Sequence, residues 1–291
     1  MMNRYASFSR ALLLSALAVS LATAANAQAT KASAGQRAAP RKTASTVKTV
    51  PDLEPRAIAL LKATSARLAA VRSLSFTALE VFEQPSRHGH PLAYATRSDV
   101  TLRRPDGLRV IIAGDGPASE FYYDGKAMMA FAPAENLLAV AEAPPTIDAA
   151  LAAAYKSAGI YFPFTDLIVA DPYNDMAEGL VLAYYVGQSR VVGGTTTDMV
   201  AYIDRDVFIQ LWIGAEDKLP RMVRAEFLSD PEHLRHQMEF SNWQLEIDAP
   251  AETFTTGSAA SAKRIPFAHP HPETASAGTP PVKSRRPARQ Q

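Results

Sequence analysis

The chain of 291 residues is 47% hydrophobic and contains no cysteine, which gives material for a sizeable core but none for a disulfide framework or a thiol nucleophile. Its net charge of +1 hides an uneven distribution: residues 51–258 hold 17 Lys and Arg against 28 Asp and Glu, a net of −11, while residues 28–50 and 259–291 are basic and rich in Ala, Pro and Ser. The acidic body excludes nucleic acid as a partner, and the basic flanks cannot bury enough apolar surface to fold.

In chain order, Arg4 and Arg10 precede an apolar run from Ala11 to Ala24, and Ala25-Asn26-Ala27 has the small-x-small form of a cleavage site. Residues 1–27 therefore read as a secretory signal peptide cut after Ala27, and the product belongs in the periplasm. Residue 28 is Gln rather than Cys, so no lipid anchor is expected there. Residues 28–52 form a basic linker, residues 53–258 the folded domain, and residues 259–291 a basic Pro- and Ala-rich tail. The flanks read as solvated linkers or as contacts to an anionic membrane surface or cell wall.

From Glu54 the apolar period is helical, with Ile58, Leu61, Leu68 and Val71 on one side and Pro55 in the first turn. After Leu74 the period becomes two. Strands are predicted at 75–84, 92–103, 107–113, 119–124, 127–132 and 136–141, separated by turn signals such as Pro105-Asp106-Gly107 and Asp124-Gly125. A helix follows at 146–158, capped by Thr146 and ended by Gly159. The segment YFPFTDLI, interrupted by Pro163, reads as a helix-to-loop element that packs its aromatic residues into something apolar. Strands resume at 181–191, 195–203, 206–214, 220–228 and 234–246. The fold class is α+β, mainly antiparallel β. About eleven strands are too many to stay flat, so the sheet curls, and the economical place for both helices is inside the curl.

Chemistry is sparse. There is no nucleophile elbow, phosphate loop or dinucleotide fingerprint, and the paired acids Asp204/Asp206 and Glu216/Asp217 flank strand ends as solvated turn residues do. The histidines fall in pairs, His88 with His90, His233 with His236 and His269 with His271. None has a further ligand at metal-binding spacing, so they read as incidental. No enzyme activity, metal or cofactor is expected, and the protein reads as a monomer.

The stretch FYYDGKAMMAFAP is apolar on both faces of a hairpin. Closing its loop at Asp124-Gly125 sets Tyr123 opposite Lys126 and Phe121 opposite Met128, with Tyr122, Met129 and Phe131 on the other face. Together with RLAAVRSLSFTALEVFEQ, VTLRRPDGLRV, LWIGAEDKLPRMVRAEF and FSNWQLEIDAPAETF, this stretch resembles the periplasmic lipoprotein carrier family over about residues 55–257. DGLRVIIAGDGP, AEAPPTIDAAL and AGIYFPFTDLIVADPY are more similar still to the exported family called domain of unknown function 2092.

The resemblance implies an incomplete, half-open β-barrel whose concave face is apolar and covered by helices. It implies an acyl chain, lipid or lipoprotein as ligand, with Phe121, Tyr123, Met128, Met129, Phe131, Tyr161, Phe162, Phe164 and Trp212 as cavity candidates. Met129 and Phe131 stand where the carrier has Trp and Tyr. Arg104, in the Arg-Pro turn, matches the arginine that latches the carrier's helical lid; its alternative is a turn arginine serving local carbonyls. The functional expectation is an exported carrier of an apolar ligand; the alternative is an envelope scaffold with a filled core, tethered by its basic flanks.

Overall fold

Strand and helix periods place the elements almost where alternation and capping put them. The computed structural model describes residues 52–177 and 179–269. The leader, the cleavage point after Ala27 and most of both basic flanks lie outside the described residues. In order the elements are β1 (Asp52–Leu53), α1 (Pro55–Ala70), β2 (Ser73–Gln84), β3 (Leu92–Arg103), β4 (Gly107–Gly114), β5 (Ser119–Tyr123), β6 (Ala127–Ala132) and β7 (Leu137–Glu142). Then come α2 (Ile147–Ala158), α3 (Thr165–Ile168), α4 (Pro172–Ala177), β8 (Leu180–Ser189), β9 (Thr197–Asp204), β10 (Val207–Gly214), β11 (Pro220–Phe227), β12 (Arg235–Leu245) and β13 (Lys263–Ile265).

All strands join one 13-stranded sheet in the order β1-β8-β9-β10-β11-β12-β2-β3-β4-β5-β6-β7-β13. Its two edges are different strands, so the sheet curls without closing into a barrel. The two antiparallel meanders, β2–β7 and β8–β12, meet where β12 pairs with β2. The eleven strands read from the sequence lie within two residues of their expected bounds. The two added strands are short and parallel: β1 lies along β8 and β13 along β7, partly covering edges that would otherwise present unpaired backbone. β13 falls in residues that composition alone assigned to the tail.

The hairpin differs in detail from its expected register. Asp124 N donates to Ala127 O at 3.3 Å, so the loop is Gly125-Lys126, and Tyr123 pairs with Met128 and Tyr122 with Met129. The cause is the Asp124 carboxylate, whose Oδ1 accepts from Lys126 N at 2.9 Å and Ala127 N at 2.8 Å and so draws the turn forward. Gly125, at φ 88°, supplies the left-handed residue this needs. Because the pairing moves by two, each side chain keeps its expected face.

Both long helices lie on the inner face. α2 is capped as predicted: Thr146 Oγ1 accepts from Ala149 N at 3.3 Å, and Gly159 at φ 69° closes the C-terminus. Ala150 and Ala154 are buried on the side of α2 that faces the sheet, and Ile147 and Leu151 enter the core beside Val100, Leu102, Val110 and Phe121. α1 spans both meanders. Its Leu68 belongs to that cluster, whereas Ala57 and Leu61 join Val200, Val207 and Leu211 in a second one. Each fully buried Leu or Phe contributes roughly 1.5–3 kcal/mol, so these two clusters hold the helices on the sheet. The segment after β12 covers the outer side of the hairpin with Ala259 and Ala262, pairs with β7, and returns Phe267 to the inner core.

Candidate functional site

Alternation along β10 turns Val207, Ile209 and Leu211 inward, and along β11 it turns Val223, Ala225 and Phe227 inward. Opposite them runs the chain between α2 and β8, whose Tyr161, Pro163, Leu167 and Met176 form a roof. Between floor and roof lies a cavity of about 80 Å³, room for about six waters at about 10–15 Å³ each. It is partly open to solvent. Val223 and Ala225 are only half-buried although they sit well inside the sheet.

Polar groups punctuate this apolar wall. Tyr202 is buried, and its phenol is pushed far up by desolvation, with the negative charges of Asp166 and Asp204 adding to the effect. His236 borders the cavity from β12. Its Nε2 meets Oε1 of Glu80 on the neighbouring β2, and Thr96 Oγ1 donates to Glu80 Oε2 at 3.1 Å. Both His236 and Glu80 are buried. Composition and spacing had made His236 incidental. The available signal was its place in β12, alternating with the apolar Met238 and Phe240 on the inward face.

The roof is tied down by polar contacts at its margin. Arg104 Nη1 donates to Ile168 O at 3.0 Å, and Nη2 reaches Leu68 O at 3.5 Å. These carbonyls lie 64 and 36 residues away in the chain, not in the local turn. Burial pulls the Arg104 guanidinium pKa down, against an opposing pull from Asp148. Asp148 itself accepts from Ala170 N at 3.2 Å through each oxygen, and Ser65 Oγ accepts from Tyr173 N at 2.9 Å. At roughly 1 kcal/mol net apiece, such bonds hold the segment without locking it.

The cavity candidates divide into three places. Phe121, Tyr123, Met128, Phe162 and Phe164 belong to the core beneath α2 and do not border the cavity. Phe162 stacks on Phe164 at 5.6 Å and meets Phe121 edge-on at 5.3 Å. Tyr123 Oη donates to Pro144 O at 2.6 Å, and burial, with Asp106 and Asp124 nearby, pushes its pKa up to about 12. Phe131 and Met129 lie on the outer face, packed with Leu138, Ala259 and Ala262. Trp212 also faces outward, between its cross-strand neighbours Met199 and Met222. Tyr161 alone of the nine borders the cavity.

Two other described histidines lie elsewhere. His233 Nδ1 lies 3.3 Å from Glu226 Oε1, and the His269 ring lies against Gly159. Among the described residues no group of three or more His, Asp or Glu is placed to hold a metal ion, and no helix is long and apolar enough to cross a membrane.

A family model described as predicted periplasmic protein (DUF2092) matches residues 57–268. Among curated proteins the chain has no match. Solved structures with a likeness include LprF from Mycobacterium bovis, at 16% identity over 68% of this chain and 98% of that one, TM-score 0.42. A LolA superfamily protein from Nitrosomonas europaea matches at 11% identity over 69% of this chain and 97% of that one, TM-score 0.31. The Pseudomonas aeruginosa MucA/MucB complex matches at 16% identity over 72% of this chain, TM-score 0.38, and the chain spans 64% of the length of the protein it matches there.

Proposed function

Since the chain belongs to the DUF2092 family of periplasmic proteins, we propose that it is a non-enzymatic carrier that shelters an acyl chain or similar apolar ligand in the hollow half of its inner face. The observation that carries this reading is the half-buried pair Val223 and Ala225 on an inward-facing wall, under a roof fixed by peripheral hydrogen bonds. A globular core has no reason to leave such residues open at the centre of a sheet. Each methylene buried there contributes about 0.8 kcal/mol, so a chain can bind with no polar motif at all.

A cavity of about 80 Å³ takes only the first part of a long acyl chain. Admission of the rest requires the 161–176 segment to lift, and lifting breaks the Arg104–Ile168, Asp148–Ala170 and Ser65–Tyr173 contacts. Arg104 is in this reading a latch between the β3–β4 turn and the roof. Native mass spectrometry of the full chain extracted gently from its own envelope tests the reading. A bound mass of lipid size is expected, and a chain that carries no lipid and takes up no fluorescent alkyl probe contradicts it.

A further inference from the structure

One row of cross-strand partners crosses the inner face from Ile209 on β10 through Ala225, His236 and Phe82 to Tyr94 on β3. Its first three members border the cavity. The next two continue that surface: the Phe82 ring meets His236 edge-on at 6.3 Å and stacks on Tyr94 at 5.9 Å. Leu92, two residues before Tyr94 in an unbroken register, shares this face. On these two strands the core beneath α2 reaches only as far as Ala78 and Val100, and β4 stops at Gly114, opposite Thr96. The hairpin end therefore stands beyond its neighbours. Tyr94 is 37% and Leu92 51% exposed, although the same alternation buries Ser98, Val100 and Leu102 farther along β3. Aromatic and aliphatic side chains left open on the concave side of a sheet form an apolar shelf.

Length decides what fits there. Adjacent strands lie about 4.8 Å apart, so the open wall from Ile209 to His236 spans two steps, about 10 Å. Beyond Ile209 the face is taken by α1, whose Ala57 and Leu61 are buried with Ala183 and Val200. One acyl chain fills half of a hydrocarbon core about 30 Å thick, about 15 Å, so lifting the roof alone does not cover a whole chain. Adding Phe82 and Tyr94 makes four steps, about 19 Å, and the added residues Phe82, Leu92 and Tyr94 carry no charge. Resting on the carrier reading above, we propose that the free end of the β2–β3 hairpin is the outer half of the ligand site. It seats the far section of an acyl chain whose first section lies in the cavity, with the chain running across the strands from Ile209 to Tyr94. A shelf covers the chain on one side, so each methylene there is worth about twofold in affinity instead of the about fourfold of full burial.

The test is displacement of a fluorescent alkyl probe from the full chain by octanol, dodecanol and hexadecanol, uncharged ligands that differ only in length. In the wild-type chain hexadecanol should displace the probe at concentrations about tenfold below those of dodecanol. Combining Leu92→Ser with Tyr94→Ser should shrink that step to about twofold and move octanol by less than about twofold, in a variant whose thermal melt confirms that it folds. Val81→Ser is the control on the same hairpin: Val81 is 39% exposed on the opposite face, and its loss should leave the step intact. A full step in the Leu92/Tyr94 variant, an equal loss for octanol, or the same loss in Val81→Ser overturns the shelf and leaves the carrier reading standing. A wild-type dimer that the Leu92/Tyr94 variant turns into a monomer gives this face to a second copy and also overturns the shelf. A wild-type chain that binds neither the probe nor any of the three alcohols overturns the carrier reading and the shelf with it.

Discussion

The two halves of the inner face are built from the same alternating strands and end in opposite states. Over β2–β6 the face is filled: α2 lies on it through Ala150, Leu151 and Ala154, and Phe162 and Phe164 plug what remains. Over β9–β12 α1 covers part of it, with Ala57 and Leu61 on Val200, Val207 and Leu211, and the rest keeps a cavity roofed by the one-turn α3 and the six-residue α4. The strands do not decide this difference; the covering element does. A 12-residue helix with small residues on one side can settle into a curved sheet, whereas two short helices joined by loops cannot tile the same area, and they leave a gap.

That contrast can be broken from either side, and the expected losses of stability fall in a definite order. Phe164→Ala removes a ring that is 1% exposed and lies 5.5 Å from Phe76. It should cost about 3–5 kcal/mol, read as a lowered urea midpoint at unchanged slope; a cost below about 1 kcal/mol would mean that the filled half is not tightly packed. Next comes Tyr123. Its pKa is raised to about 12 in the folded chain from about 10 in an unfolded one. The folded state therefore favours the neutral phenol; the benefit is complete below about pH 10 and is lost as pH climbs toward about 12, a loss of roughly 2–3 kcal/mol. Tyr123→Phe should flatten that alkaline limb in a stability-against-pH series, and an unchanged limb would place its origin elsewhere.

On the hollow side the costs are smaller and the functional effects larger. Arg104→Leu strips donors from Ile168 O and Leu68 O and should cost about 1–3 kcal/mol. Amide exchange across residues 165–170 should speed up by about tenfold, the kinetic equivalent of a loosened roof. Exchange that is faster everywhere by the same factor would reduce Arg104 to a general structural residue. Ala225→Phe fills the cavity from its floor. It should change stability by less than about 1.5 kcal/mol while cutting uptake of an alkyl probe by about tenfold or more; undiminished uptake would move the ligand to another place.

Much of this fold is legible in the sequence. Period-two alternation marks each long strand because one face of each is buried, and Thr146 and Gly159 announce the ends of α2 through cap chemistry that is local. What depends on another segment was not legible. One local detail escaped as well: the hairpin turn moved because the Asp124 carboxylate binds two following amides. β13 escaped because Lys263, Arg264 and Ile265 pair through backbone with β7 and carry no strand pattern of their own. The cavity was expected near the hairpin, where aromatic residues are dense. Density of aromatic residues marks the filled half, since Phe121, Phe162 and Phe164 pack on one another. The hollow half is lined by Val223, Ala225, Ile209 and Leu211, residue types that read as ordinary core until the absence of a close-fitting cover is visible.

The most direct test of the contrast is photolabelling with a long-chain alcohol that carries a diazirine in its alkyl chain, followed by peptide mapping. Label is expected on β10 and β11 and on residues 161–176, with little on the hairpin 119–132. Label concentrated on the hairpin, or spread over the outer face around Trp212, would contradict a hollow half that holds the ligand.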